Sequence, residues 1–129
     1  MLAIDTDVIV RFLTGDDPAQ ARRARRLIET EAVFVATTVL LETEWVLRSA
    51  YGYSATLARE ALTAFAGLPR VALEDAPLIA TALERMARGM DLADALHLGR
   101  TDGCTAFASF DRKLARLAKA VGGPAVRRP

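Results

Sequence analysis

The sequence predicts an α/β protein, a three-layer α/β/α sandwich built on a mainly parallel central sheet of four or five strands. Three observations lead there. Short apolar runs alternate with longer stretches of helical periodicity along the whole chain. Glycine, proline and capping residues punctuate nearly every changeover. Acidic residues stand just past several of the short runs, where the carboxyl edge of a parallel sheet would gather them.

The elements follow in order. Leu2-Ala3-Ile4 is read as strand one, with Asp5 at its carboxyl end and a short helix over Val8 to Leu13 that stops near Gly15. Asp17-Pro18 opens a helix over 18–31, with aspartate as the cap and proline at the first helical position. Its Ala21, Ala24 and Ile28 share one side, and Arg22, Arg23, Arg25 and Arg26 occupy the others. Ala32 to Ala36 is strand two, with β-branched Val33 and Val35. Thr37 or Thr38 is expected to cap a helix running to Tyr51 and ending at Gly52. Ser54 caps another through Phe65, and Arg70 to Leu73 is strand three. Asp75 and Pro77 open a helix to Gly89, and a further helix is expected from Leu92 to Asp102. The apolar run Thr105 to Ala108 suits a buried parallel strand with Cys104 in the core, followed by a helix over 111–120 and a last short strand at 125–127.

With 129 residues and no repeat, linker or low-complexity tract, the chain is expected to form a single domain over 1–129. It is 52% hydrophobic and 26% charged with a net charge of +1, so no polyanion partner is demanded by the total and any such contact would be local. One cysteine makes no internal disulfide, which points to a reducing cytoplasm. Asp5, Asp7 and Arg11 interrupt the first apolar stretch, which excludes a signal peptide there, and no run suits a membrane span.

The acids carry the chemistry. Asp5 is either the cap of the helix that follows it or a ligand, and Asp7 has the same alternatives. Glu42 has Thr38, Val39, Trp45 and Val46 at helical spacing and no cation among them, so it is expected on an apolar face. A carboxylate there requires a proton, an arginine from elsewhere or a metal. Glu44 has Arg48 four residues on and is expected to be solvated in a surface pair. Asp91 and Asp94 lie three apart at a helix start, where Asp91 reads as a cap while the alanines beside Asp94 leave room for a ligand. Asp111 is either the cap of the last helix or a ligand, and Ser109 is either a local cap or a group that positions water. His97, the lone histidine, is either structural or a support for Asp94. Carboxylates gathered closely need a cation, and an all-oxygen set favours Mg²⁺ or Mn²⁺. Phosphodiester or phosphoryl transfer is the chemistry that uses such a pocket.

The segments Ile4-Asp5-Thr6, Leu41-Glu42-Thr43-Glu44-Trp45-Val46-Leu47-Arg48, Asp91-Leu92-Ala93-Asp94-Ala95 and Ser109-Phe110-Asp111 resemble, in this order, the PIN-domain nucleases. Within these they are similar to the VapC-type toxins of bacterial and archaeal toxin–antitoxin pairs. The resemblance implies a PIN-like fold and a Mg²⁺- or Mn²⁺-dependent endoribonuclease, with Asp5, Glu42, Asp94 and Asp111 as catalytic metal ligands. It implies Thr6, Asp91 and Ser109 as secondary ligands or orienting partners. It also implies an RNA substrate, a small cognate antitoxin and a homodimer. Apolar positions on the helices at 38–51 and 55–66, more than one core needs, point the same way on dimerisation. Asp7 departs from the asparagine many relatives carry, and either adds a metal ligand or replaces an amide hydrogen bond. The arginines at 22–26 either track an RNA backbone or form a solvated face.

Two alternatives stand beside this reading. Asp5-Thr6-Asp7 after a strand mimics the nucleophile pair of a haloacid-dehalogenase-like phosphatase, although the only lysines, Lys113 and Lys119, follow the last acid. The other is a non-catalytic binding module that keeps the fold and a metal for stability.

Overall fold

Leu2–Ala3, the first strand (β1), pairs in parallel with the second, Val33–Val35 (β2), and β2 pairs in parallel with Val71–Leu73 (β3). The register sets Leu2 opposite Val33 and Val33 opposite Val71. A computed structural model describes residues 1–129, and the chain divides into two compact units, Met1–Ala76 and Pro77–Pro129.

In the first unit, α1 (Thr6–Thr14) and α2 (Pro18–Thr30) join β1 to β2, and α3 (Thr37–Tyr51) and α4 (Ala55–Ala66) join β2 to β3. Parallel strands require such helical crossovers. Local chemistry fixes the helix ends. Asp17 accepts the Gln20 amide at 3.1 Å with Pro18 at the first turn, and Ser54 accepts the Leu57 amide at 3.1 Å. Gly15 and Gly52 close α1 and α3 in the left-handed region, at φ 67° and 69°. Ile9, Ile28, Val33, Val35, Leu40, Leu47, Leu62 and Phe65 are buried, each worth roughly 1.5–3 kcal/mol relative to exposure. Phe12 and Phe65 add a tilted ring pair with centroids 5.9 Å apart. Arg11 bonds Gln20, Asp16 and the Tyr51 hydroxyl, tying the ends of α1 and α3 to the start of α2.

The second unit holds most of α5 (Ala76–Ala87), with α6 (Leu92–Gly99), β4 (Phe107–Ala108), α7 (Arg112–Ala120) and β5 (Val126–Arg127). β4 and β5 pair in parallel, Phe107 opposite Val126. Leu78, Ile79, Leu83, Met86, Leu92, Leu96, Leu98 and Leu114 are buried. Arg88 donates to the Ala120 carbonyl at 3.2 Å and closes α5 onto the end of α7.

The architecture is the expected α/β with parallel strands, and four local expectations are corrected. The strand proposed for 105–108 is reduced to Phe107–Ala108 and is not buried. Parallel pairing begins only where β5 offers a partner, so Thr105 and Cys104 lie exposed ahead of it. Cys104 is therefore no core residue. α6 ends at Gly99 instead of Asp102, because Arg100 leaves helical geometry and the Thr101 hydroxyl bonds the Leu98 carbonyl at 2.8 Å. Neither Thr37 nor Thr38 caps α3: its cap residue is Ala36, with no side-chain bond, and Glu74 supplies the acceptor from beyond β3. No helix is long and apolar enough to cross a membrane.

Candidate active site

In the first unit the acids sit where β1 and β3 run out. Asp5 follows buried Ile4, caps α1 and accepts the Thr6 amide at 2.7 Å. Thr6 itself is buried, and its hydroxyl donates to Glu42 Oε1 on α3. Asp5, Thr6 and Glu42 are thus brought together. Past β3, Glu74 Oε1 accepts the Thr37 amide at 2.8 Å. At this helix start Thr37 Oγ1 is buried without a hydrogen-bond partner, a polar atom left over after the protein has satisfied the rest. Asp7 is exposed and lines a cavity of about 410 Å³ together with Arg11 and Arg23.

The two glutamates of α3 exchange the environments expected of them. Glu44 is 1% exposed and ion-paired to Arg48, whereas Glu42 is exposed. The cause is helix phase. Leu40 and Leu47 anchor the inner face, and Glu44 lies four residues after one and three before the other. Glu42 shares the outer face with Thr38 and with Trp45, which is 59% exposed. Apolar neighbours at helical spacing misled because Trp45 is itself on the surface.

In the second unit Asp91 caps α6, accepting the Ala93 amide at 3.1 Å, and Asp94 stands in the first turn. Asp111 caps α7 and accepts the Leu114 amide at 3.0 Å. Ser109 Oγ accepts the Asp111 amide at 3.0 Å, and the Ser109 amide donates to the Arg127 carbonyl at 3.0 Å. The Asp94 carboxyl is held above the usual carboxylate range, first by burial and then by the charges of Asp91 and Asp111, with His97 opposing. Asp91, Asp94, Ser109 and Asp111 therefore form one neighbourhood.

Three carboxylates that repel one another form an arrangement that a cation relieves, and their oxygens are hard donors suited to Mg²⁺ or Mn²⁺. No group of three or more His, Cys, Asp or Glu side chains forms a ready-made ion cage, so the side chains would have to rotate onto an ion. Two residues escaped the sequence reading. Glu74 obeys the same rule that found Asp5, an acid directly after an apolar strand. Phe110, between Ser109 and Asp111, is 70% exposed.

Among known proteins, no curated sequence gives a significant match. The structure is similar to that of Mycobacterium tuberculosis VapC20, a toxin that cleaves the sarcin–ricin loop, at 24% identity over 98% of this chain and 99% of that chain, with a TM-score of 0.45. The family model of the PIN domain matches residues 2–120, nearly the full length. The chain belongs to the PIN-domain family.

Proposed function

We propose that the chain is a single PIN domain acting as a Mg²⁺- or Mn²⁺-dependent endoribonuclease, the toxin of a toxin–antitoxin pair. The observation that carries the reading is the Asp91–Asp94–Asp111 neighbourhood, with its elevated Asp94 proton affinity, in a chain of this family. The order of the four motifs, unbroken along the chain, supports the VapC-type toxin among PIN proteins.

Asp5, Glu42, Asp94 and Asp111 are the ligands in this reading, with Thr6, Asp91 and Ser109 orienting them. A divalent cation at these oxygens supplies charge against the phosphate and acidity to the attacking water. The Thr6 hydroxyl donates to Glu42 Oε1 and holds this exposed carboxylate in place. Asp111 is held by the start of its own helix and by the Ser109 bond, which fixes its backbone before substrate arrives. Ser109 Oγ accepts the Asp111 amide and keeps its own proton to donate to a water or a phosphate oxygen.

A homodimer is supported by Trp45 and Leu57, large apolar side chains 59% and 48% exposed on α3 and α4. A light-scattering mass equal to one chain would remove it. A cytoplasmic setting and a small antitoxin partner complete the proposal.

Cleavage of a mixed RNA panel with Mg²⁺ or Mn²⁺, beside EDTA and Asp94→Asn controls, tests the function. Discrete cuts that vanish in both controls support it. Silence with every RNA under both metals counts against it and favours the binding module, which would gain stability from the cation without turnover.

A further inference from the structure

Phe110 is 70% exposed, second only to Met1 among the large apolar side chains at the surface. It sits between Ser109 and Asp111, two residues the proposed function places at the reacting phosphate. The Arg128 guanidinium lies 5.9 Å from its ring centroid, within cation–π range. That arginine is brought there by the β4–β5 ladder, which sets Ala108 opposite Arg127, and by the Ser109 amide bond to the Arg127 carbonyl. From residue 112 to the last residue the chain carries Arg112, Lys113, Arg116, Lys119, Arg127 and Arg128 and no acid. All six are exposed, while Leu114 and Ala118 turn inward from α7.

We propose that Phe110 and Arg128 form a subsite for single-stranded RNA, in which a base flanking the cleaved bond stacks on the Phe110 ring and Arg128 engages its phosphate. An exposed ring beside a guanidinium is a combination that binds single strands, because every base offers a π face and every nucleotide a charge. The uniform positive sign of 112–129 complements a polyanion and not an apolar protein surface. The subsite rests on the ribonuclease reading and adds to it a group that grips substrate without touching the metal. It makes stacking, and not base-edge hydrogen bonding, the source of nucleotide preference at this position.

The test is binding of a short, labelled, mixed-sequence single-stranded RNA to the full chain by fluorescence anisotropy, with Ca²⁺ in place of Mg²⁺, over a range of salt. Circular dichroism confirms that each variant folds. Phe110→Leu is expected to weaken binding about tenfold with the salt slope unchanged, and Phe110→Tyr to stay within about twofold of the parent. Arg128→Gln is expected to weaken binding and lower the salt slope by about 0.7. Unaltered binding by Phe110→Leu overturns the subsite, and if the parent still cleaves RNA with Mg²⁺ the ribonuclease reading stands without it. A parent that cleaves but shows no measurable binding overturns it as well. A parent that neither binds nor cleaves removes both. Normal RNA binding by Phe110→Leu with a reduced light-scattering mass assigns the ring to a protein contact and overturns the subsite.

Discussion

The Thr6 hydroxyl donates to Glu42 Oε1, joining the first residue of α1 to the second turn of α3 across 36 positions of sequence. Thr6 is 7% exposed and Glu42 is exposed, so the buried hydroxyl holds a carboxylate that would otherwise wander in solvent. Thr6→Val keeps the shape and removes the donor. We expect a stability loss of about 1 kcal/mol, with RNA cleavage reduced about tenfold through KM or kcat as Glu42 loses its orientation. Glu42→Gln retains an acceptor for Thr6, so its melting temperature should match the parent while cleavage is lost. Steady-state kinetics beside thermal unfolding separates the two.

Arg48 and Glu44 form an ion pair whose acid is buried and whose base is not. Removing the base strands a charge inside, so Arg48→Met should cost about 3 kcal/mol. Glu44→Leu removes the buried charge and leaves Arg48 able to reach water, so it should cost less. Denaturant unfolding of both variants checks the order. A larger loss in Glu44→Leu would contradict it.

Asp94 binds its proton more tightly in the folded chain than in the unfolded one, because burial and the charges of Asp91 and Asp111 raise its pKa. Its favourable contribution is present below the unfolded-chain pKa and is lost as pH rises through the folded value. At neutral pH without a cation the ionised side chain is a net cost. Asp94→Asn should therefore melt higher than the parent at neutral pH, and the difference should shrink on acidification. Calorimetry across that range tests the sign.

A divalent cation should reverse that relation. Mg²⁺ or Mn²⁺ at tenfold above its dissociation constant is expected to add about 1.4 kcal/mol to the parent. Asp94→Asn should gain much less, and EDTA should return the parent to its starting melting temperature. Equal gains in the two proteins would show that the ion binds elsewhere.

Helix starts marked by a capping side chain were legible in the sequence because capping is local, and the start of α3, where neither Thr37 nor Thr38 caps, was not. Asp17-Pro18, Ser54, Asp91 and Asp111 each needed only the few residues after them to be read, and each accepts an amide as expected. Helix phase was less legible. The inward face of α3, which carries Leu40 and Leu47, is chosen by the elements packed against that helix, α1 and α4, so the burial of Glu44 and the exposure of Glu42 depend on tertiary partners. The same holds for 105–108, where apolar composition suggested a buried strand but pairing with β5 set its length. Glu42 was singled out by its neighbours at helical spacing and by its motif, and neither of these reports which face of α3 turns inward, so its exposed environment was not legible in the sequence.

Asp5, Asp91 and Asp111 each spend a carboxylate oxygen on the backbone of the helix they begin. Replacements that lack a capping group would therefore fray a helix as well as alter the site, whereas asparagine, serine, threonine and, at small cost, glycine keep the helix start while removing the charge. An aspartate codon becomes an asparagine codon by a single base change. In a population selected to lose the proposed cleavage, folded but silent chains should accordingly arise at each position mainly through asparagine or glycine, the two capping residues one base away, while the other single-base replacements loosen the helix as well.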